Sequence, residues 1–317
     1  MSHEVETMAY AGALPWHGLG ARVDTGVSPE EMLVAAGLNW TIRRESLYAK
    51  VDGRELKVPG RRALIRSSDD KVMTIAGQDW KPFQNKDLLG FFKNYSEAGG
   101  AKLETAGSLR EGAVVWALAN LNDGFTVGSK SSKDRVNGYL LFTSPHKVGA
   151  AINIRTTTVR VVCANTMAMA ERGGTVNYKQ NHMAKFNVDA AKEAVEGAHE
   201  SLKRAGVRAQ TLSKLKLSVD ETLRVLAPYV GVDTTYIKSD DLLAIANDGK
   251  SKLSTLMASV NNGPGALPGT GWGVLNGVTH WVDHAIGRSN ASRMFRSWIG
   301  DLGRMKLDVE ASLLELV

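Results

Sequence analysis

The chain has 317 residues, 43% of them hydrophobic and 23% charged, an ordinary globular composition with length enough for a large core or two domains. The formal charge of +6 permits an anionic partner without requiring one, and Cys163, the only cysteine, excludes an internal disulfide or a thiolate zinc cluster and fits a reducing cytoplasm. The start, MSHEVETMAYAG, has acids where a secretory leader has bases, and no apolar run of about 18 residues occurs, so neither export nor membrane spanning is expected.

After an irregular N-terminal stretch, Ser28-Pro29-Glu30-Glu31 reads as an N-cap, a proline at the first helical position and acids in the first turn, with Gly37 closing the helix. Residues 40–50, 54–58, 62–66 and 71–76 are short, partly alternating strands separated by Asp52-Gly53 and the run Ser67 to Asp70, an antiparallel meander. Asn85 is expected to cap a helix carrying Leu88, Phe91, Phe92 and Tyr95 on one face and ending at Gly99 and Gly100.

The middle of the chain is strand-like over 113–121, 136–143 and 149–155. From Val159 the small and apolar residues Val162, Cys163, Thr166, Met167 and Ala170 follow a helical spacing. The expected order is β-β-β-α, with Thr156, Thr157 or Thr158 capping the helix and Arg155 and Arg160 beside its positive end, where a phosphate can sit. Residues 144–147 (SPHK) read as an exposed basic hairpin tip, and 128–133 as a polar loop. Between 124 and 161, Lys130, Lys133, Arg135, Lys147, Arg155 and Arg160 face a single acid, Asp134, the electrostatic footprint of a phosphate-binding surface. A solvated surface loop is the plainer reading of the same residues.

Beyond about residue 187 the composition turns helical. Ser218 and Glu221 form a capping box, a second helix starts near Ser239, a Gly/Pro-rich loop covers 261–273, and the last helices carry Trp272, Trp281 and Trp298. The fold class is therefore α+β: an antiparallel β-meander with a β-β-β-α core over residues 1–184, then a mostly helical region over 185–317.

No catalytic set emerges from spacing. Gly269 to Gly273 lacks the Lys-Ser/Thr of a phosphate-binding loop, and Cys163 falls on the expected buried stripe of its helix. His280 and His284, four apart with Asp283 beside them, are weak metal candidates, since the glutamate that adjoins the first histidine of a zinc protease is missing. Trp16, His17, Trp80 and Phe83 could stack on bases but read first as local core. Arg288, Arg293, Arg296, Arg304 and Lys306 against Asp283 and Asp301 offer a second anion contact.

Four motifs, 15–20 (PWHGLG), 80–85 (WKPFQN), 159–166 (VRVVCANT) and Trp272-Gly273 followed by 276–279 (NGVT) with Asp283 and His284, resemble in order and nearly end to end a phage/plasmid-like family catalogued as a domain of unknown function (DUF 932). Gly277 stands where that pattern leads us to expect alanine. The resemblance implies carriage on a mobile element. In outline the β-β-β-α unit is also similar to the core of single-strand annealing proteins of the RecT, Redβ and Erf groups and the eukaryotic Rad-type mediators. That likeness implies a cationic groove on an oligomeric ring or filament, holding single-stranded DNA by its backbone without nucleotide hydrolysis or a cofactor.

The resulting expectation is a phage-encoded protein of the bacterial cytoplasm that binds and anneals single-stranded DNA and works beside phage or host replication and recombination proteins. Lys130, Lys133, Arg135, Lys147, Arg155 and Arg160 would meet phosphates, Thr156, Thr157 and Thr158 would add hydroxyls and amides, and Tyr139 or Phe142 would stack on a base if its strand face is open. The rival readings are a metal-dependent enzyme on nucleic acid or nucleotide, and an interaction factor that counters host defence.

Overall fold

The computed structural model describes residues 4–15, 17–93, 101–128, 133–158, 175–263, 266–285 and 301–317. They form two compact units, Met1–Gly124 with Asn137–Leu202, and Phe125–Val136 with Lys203–Val317. The sequence boundary at 184/185 lies just ahead of a long helix, Val188–Lys214, inside which the two units divide.

Strands β1 (Val5–Ala11), β2 (Ala21–Val23), β6 (Lys102–Leu109), β7 (Val114–Gly128), β8 (Lys133–Pro145), β9 (Ile152–Thr157) and β10 (Thr175–Gln180) make a sheet ordered β10-β9-β8-β7-β6-β1-β2, which belongs to the first unit except for the residues of β7 and β8 within Phe125–Val136. Its first strand corrects the irregular N-terminus: VETMAYA buries alternate and then successive residues and pairs antiparallel with β6. Gly107 of β6 permits this crowding, because a Cβ there would stand 2.5 Å from the Thr7 carbonyl oxygen and run into the Trp116 ring. The expected meander is a separate three-stranded sheet of β3 (Ile42–Val51), β4 (Arg54–Arg66) and β5 (Val72–Gly77) in the order β3-β4-β5.

Helix α1 (Pro29–Ala35) starts at the N-cap read at Ser28, to which the structure adds a capping box with Glu31, and Gly37 beyond it takes a φ of 66°. Helix α2 (Asn85–Phe91) differs from expectation: Gln84 is its N-cap, and Asn85 turns its side chain inward. Apolar residues of α1, α2, the sheet and the early turns of α3 (Val188–Lys214) share one core, including Met32, Leu88, Phe92, Leu140, Ile154 and Val195.

The second unit is helical over most of its length, with α4 (Val219–Leu226), α5 (Ser239–Asn247), α6 (Lys252–Asn262), α7 (Gly271–His280) and α8 (Asp301–Leu314). Its core joins Leu212, Leu223, Leu242, Leu256, Val278, Trp281 and Val309. Gly277 has a steric reason: a Cβ there would stand 2.7 Å from the Val260 backbone nitrogen, so an alanine would push α7 off α6. The α+β class read from the sequence is the class observed. No helix among the described residues is long and apolar enough to cross a membrane.

Candidate nucleic-acid interface

Strands β7, β8 and β9 are neighbours in that order, and β10 lies outside β9 at one end of the sheet. Strand β9 carries Ile152 and Ile154 into the core, which turns Asn153 and Arg155 to the opposite face. In β10, Lys179 pairs with Asn153 and Val176 with Arg155, so Lys179 and Arg155 share that face, on which Thr157 and the Arg155 Nε are buried and Lys179 is exposed. Within 144–158 and 175–187 the cations are Lys147, Arg155, Lys179 and Lys185, and no aspartate or glutamate occurs. Lys147, Lys179 and Lys185 are exposed and form no ion pair among the described residues, while Arg155 is half-buried. Exposed lysines without an ion-pair partner keep their field available to an anion.

Two buried histidines hold the loops that carry these lysines. His146, beside Lys147, is 1% exposed; its Nε2 lies 2.9 Å from Asn85 Oδ1 and its ring 5.2 Å from Trp40. Asn85 Nδ2 donates to the carbonyls of Leu38 and Trp40 at 3.0 and 3.3 Å, which leaves Oδ1 to accept from His146 Nε2–H. Arg66 lies on Trp40 as well, 5.4 Å from the ring centroid, and reaches Glu6 at 2.7 Å and Asp69 at 2.6 Å. On the other side, His182 stacks on Trp80 at 4.1 Å, its Nδ1 donates to the Lys81 carbonyl at 3.0 Å, and Lys81 N–H returns a bond to the His182 carbonyl at 2.7 Å. Gln180 closes the next turn by donating to the carbonyls of Ala184 and Lys185.

Both imidazoles are neutral. Burial pushes His146 down to about 3, with the nearby His182 adding to the effect, and burial also lowers His182. Ser144 Oγ and His146 Nδ1 are buried without a hydrogen-bond partner among the described residues. The motif of 80–85 is thus a clasp: Trp80 and Lys81 grip His182, Gln84 bonds both backbone groups of Ile42 at 2.9 and 3.0 Å, and Asn85 grips His146.

Several expectations change. The 144–147 tip is not exposed as a whole, since Ser144 and His146 are buried and Lys147 alone of its polar residues faces out. Phe142 is fully buried against Phe83, Phe91 and Phe186, at 5.5, 5.2 and 5.6 Å, and Tyr139 is 5% exposed, so neither strand face is open for a base. Trp80 and Phe83 are core, as their local reading held.

Thr156 and Thr157 lie in β9 and are buried, and Thr156 donates from N–H and Oγ1 to Asn177 Oδ1, both at 2.7 Å; the helix expected from Val159, with these threonines as its cap, lies outside the described residues. Thr158 is exposed, and Arg135 is exposed at the opposite end of β8 from Lys147. Lys133 begins β8; Lys130, Arg160, Cys163, Trp16, and Arg288, Arg293 and Arg296 lie outside the described residues, as do the side chains of Lys133 and Arg304.

His280 Nδ1 lies 3.2 Å from Ser259 Oγ, and the chain leaves α7 through a π-turn over Trp281–Ala285 that alters the four-residue spacing to His284. The side chains of Asp283 and His284 are outside the described set, and no group of three metal-ligating side chains occurs among the described residues. The sequence reading missed Lys179, Lys185 and His182. A lysine-bearing stretch between Gly174 and Val188 without an acid was the available signal.

Residues 72–298 match the model of a family described as a domain of unknown function, DUF932. The chain belongs to this family. The matched span contains the 80–85 clasp, both buried histidines and every cation of the β9–β10 edge, whereas residues 15–20 precede it. No curated protein and no solved structure matches this DUF932 chain.

Proposed function

We propose that this DUF932 protein is phage-encoded and acts in the bacterial cytoplasm as an oligomer that binds single-stranded DNA and promotes pairing of complementary strands without nucleotide hydrolysis. The β9–β10 edge carries the reading: Lys179 is exposed on the face that holds Arg155, Lys147 and Lys185 are exposed in the loops that follow β8 and β10, and β7, β8 and β9 are neighbours in that order. Such an edge meets backbone phosphates and leaves bases outward for a second strand, so affinity depends on salt and little on sequence. Strand pairing then needs two charge-neutralised strands brought together, which an oligomer supplies.

The test mixes the protein with two labelled complementary oligonucleotides over a salt series, with single-strand and duplex anisotropy in parallel. The expected result is accelerated pairing with salt-sensitive single-strand binding. Lys147→Ala with Lys179→Ala should lower the slope of log K against log salt by about 0.7 per lost contact. Absence of single-strand binding at low salt rejects the reading.

A further inference from the structure

The β3–β4 hairpin extends beyond its sheet. Strand β5 pairs with Arg61 to Ile65 of β4 only, whereas β3 and β4 continue through Tyr48↔Lys57, Ala49↔Leu56, Lys50↔Glu55 and Val51↔Arg54. The turn between them is Asp52-Gly53 with φ of 48° and 77°, the two positive values of a hairpin turn whose twist matches its strands. All residues from Tyr48 to Lys57 are exposed, so the ribbon has two wet faces and no core of its own. A two-stranded ribbon alone is marginal in water, and its length past the third strand contributes little to the stability of the unit.

Its side chains suit a ligand. Tyr48 and Lys57 are directly paired, and Lys50 lies two residues along the same face, so Tyr48, 54% exposed, has two lysines as neighbours on its face. Glu55, opposite Lys50, shares that face. The side chains of Lys50, Lys57, Arg54 and Arg61 make no ion pair or hydrogen bond among the described residues, whereas Arg43 pairs with Asp70 at 2.5 Å and Arg62 donates to Ser46 at 2.6 Å. From 43 to 62 the seven cations Arg43, Arg44, Lys50, Arg54, Lys57, Arg61 and Arg62 face the acids Glu45, Asp52 and Glu55.

We propose that the β3–β4 ribbon is a second nucleic-acid contact, in which Tyr48 stacks on an unpaired base while Lys50 and Lys57 hold the flanking phosphates. The proposal rests on the single-strand reading above and supplies the stacking group that buried Tyr139 and Phe142 cannot. The two contacts are complementary: the sheet edge grips backbone, and the ribbon recognises that a base is unpaired, since an exposed ring stacks only on a base released from its duplex. The opposite face of the ribbon tip, with Ala49, Val51, Leu56 and Arg54, is more apolar, and self-association through it is the competing outcome.

The test compares wild type, Tyr48→Ala, Tyr48→Phe and the Lys50→Ala/Lys57→Ala pair on fluorescent oligothymidine, on an abasic strand of the same length and on duplex, with sedimentation to read oligomeric state. Tyr48→Ala is expected to weaken oligothymidine binding roughly fivefold to a hundredfold. It should leave abasic and duplex binding unchanged, and Tyr48→Phe should behave as wild type. The lysine pair should weaken all three and lower the salt slope.

Wild-type binding to oligothymidine that Tyr48→Ala and the lysine pair both leave intact overturns the ribbon contact while the function above stands. Equal losses on abasic and base-bearing strands, or a drop in oligomeric state that accounts for the lost affinity, also overturn it. Failure of wild type to bind any strand removes both proposals together.

Discussion

The two cationic surfaces of the first unit are built in opposite ways. The β9–β10 edge stands on a buried polar clasp, in which Trp80 and Asn85 of one motif, His146 and His182 are drawn from three separated parts of the chain. The β3–β4 ribbon stands on nothing but its own ladder and a two-residue turn. One surface is therefore tied to the stability of the whole unit, and the other can change or loosen without unfolding it. Surface charge looks alike in both, and only the support beneath tells how each responds to damage.

The largest break in this comparison is expected from Asn85→Ala. It leaves the carbonyls of Leu38 and Trp40 and the Nε2 of His146 without their buried partner, which costs about 3 kcal/mol or more. Urea unfolding should show it as a lower midpoint, and a wild-type midpoint would mean that the clasp contributes no stability.

Acid should act on the same clasp. Because His146 is depressed in the folded state to about 3, its contribution is complete above the unfolded value of about 6.5 and is lost as pH falls from there toward 3. On this account stability drops by about 2 kcal/mol by pH 5 from this group alone, with His182 adding to the loss, and His146→Gln flattens the slope. A pH-independent stability between about 7 and 5 would contradict neutral burial of these rings.

The smallest effect should come from the ribbon. Gly53→Val forces a β-branched residue to a φ of 77° and should loosen the turn, seen as faster amide exchange along Ala49 to Leu56. Global stability should shift by less than about 1 kcal/mol. A large global loss would show that the ribbon, like the edge, is coupled to the core.

Much of this was legible locally. The N-cap at Ser28, the capping box at Ser218, the Asp52-Gly53 turn and the three strands around 113–155 follow from short-range chemistry that a few residues carry by themselves. Asn85 was misread because an asparagine before an apolar helical face looks like a cap, whereas here its amide is worth more as a partner for two buried carbonyls and an imidazole. Tyr139 and Phe142, three residues apart, lie on opposite faces of β8, and the sequence does not say which face another layer covers; both are buried.

By itself the sequence determined the α+β class, the caps and turns, the surplus of positive charge and the DUF932 motifs, because each depends on residues within a turn or a strand of one another. The tertiary structure decided that 80–85 is a clasp rather than a surface motif, that His146 is buried while Lys147 beside it is exposed, that β10 adds Lys179 to Arg155, and that Tyr48 rather than Phe142 meets solvent. Those outcomes depend on which distant segments meet and on what they exclude from water, and burial is a property of the assembled layers that no local pattern carries.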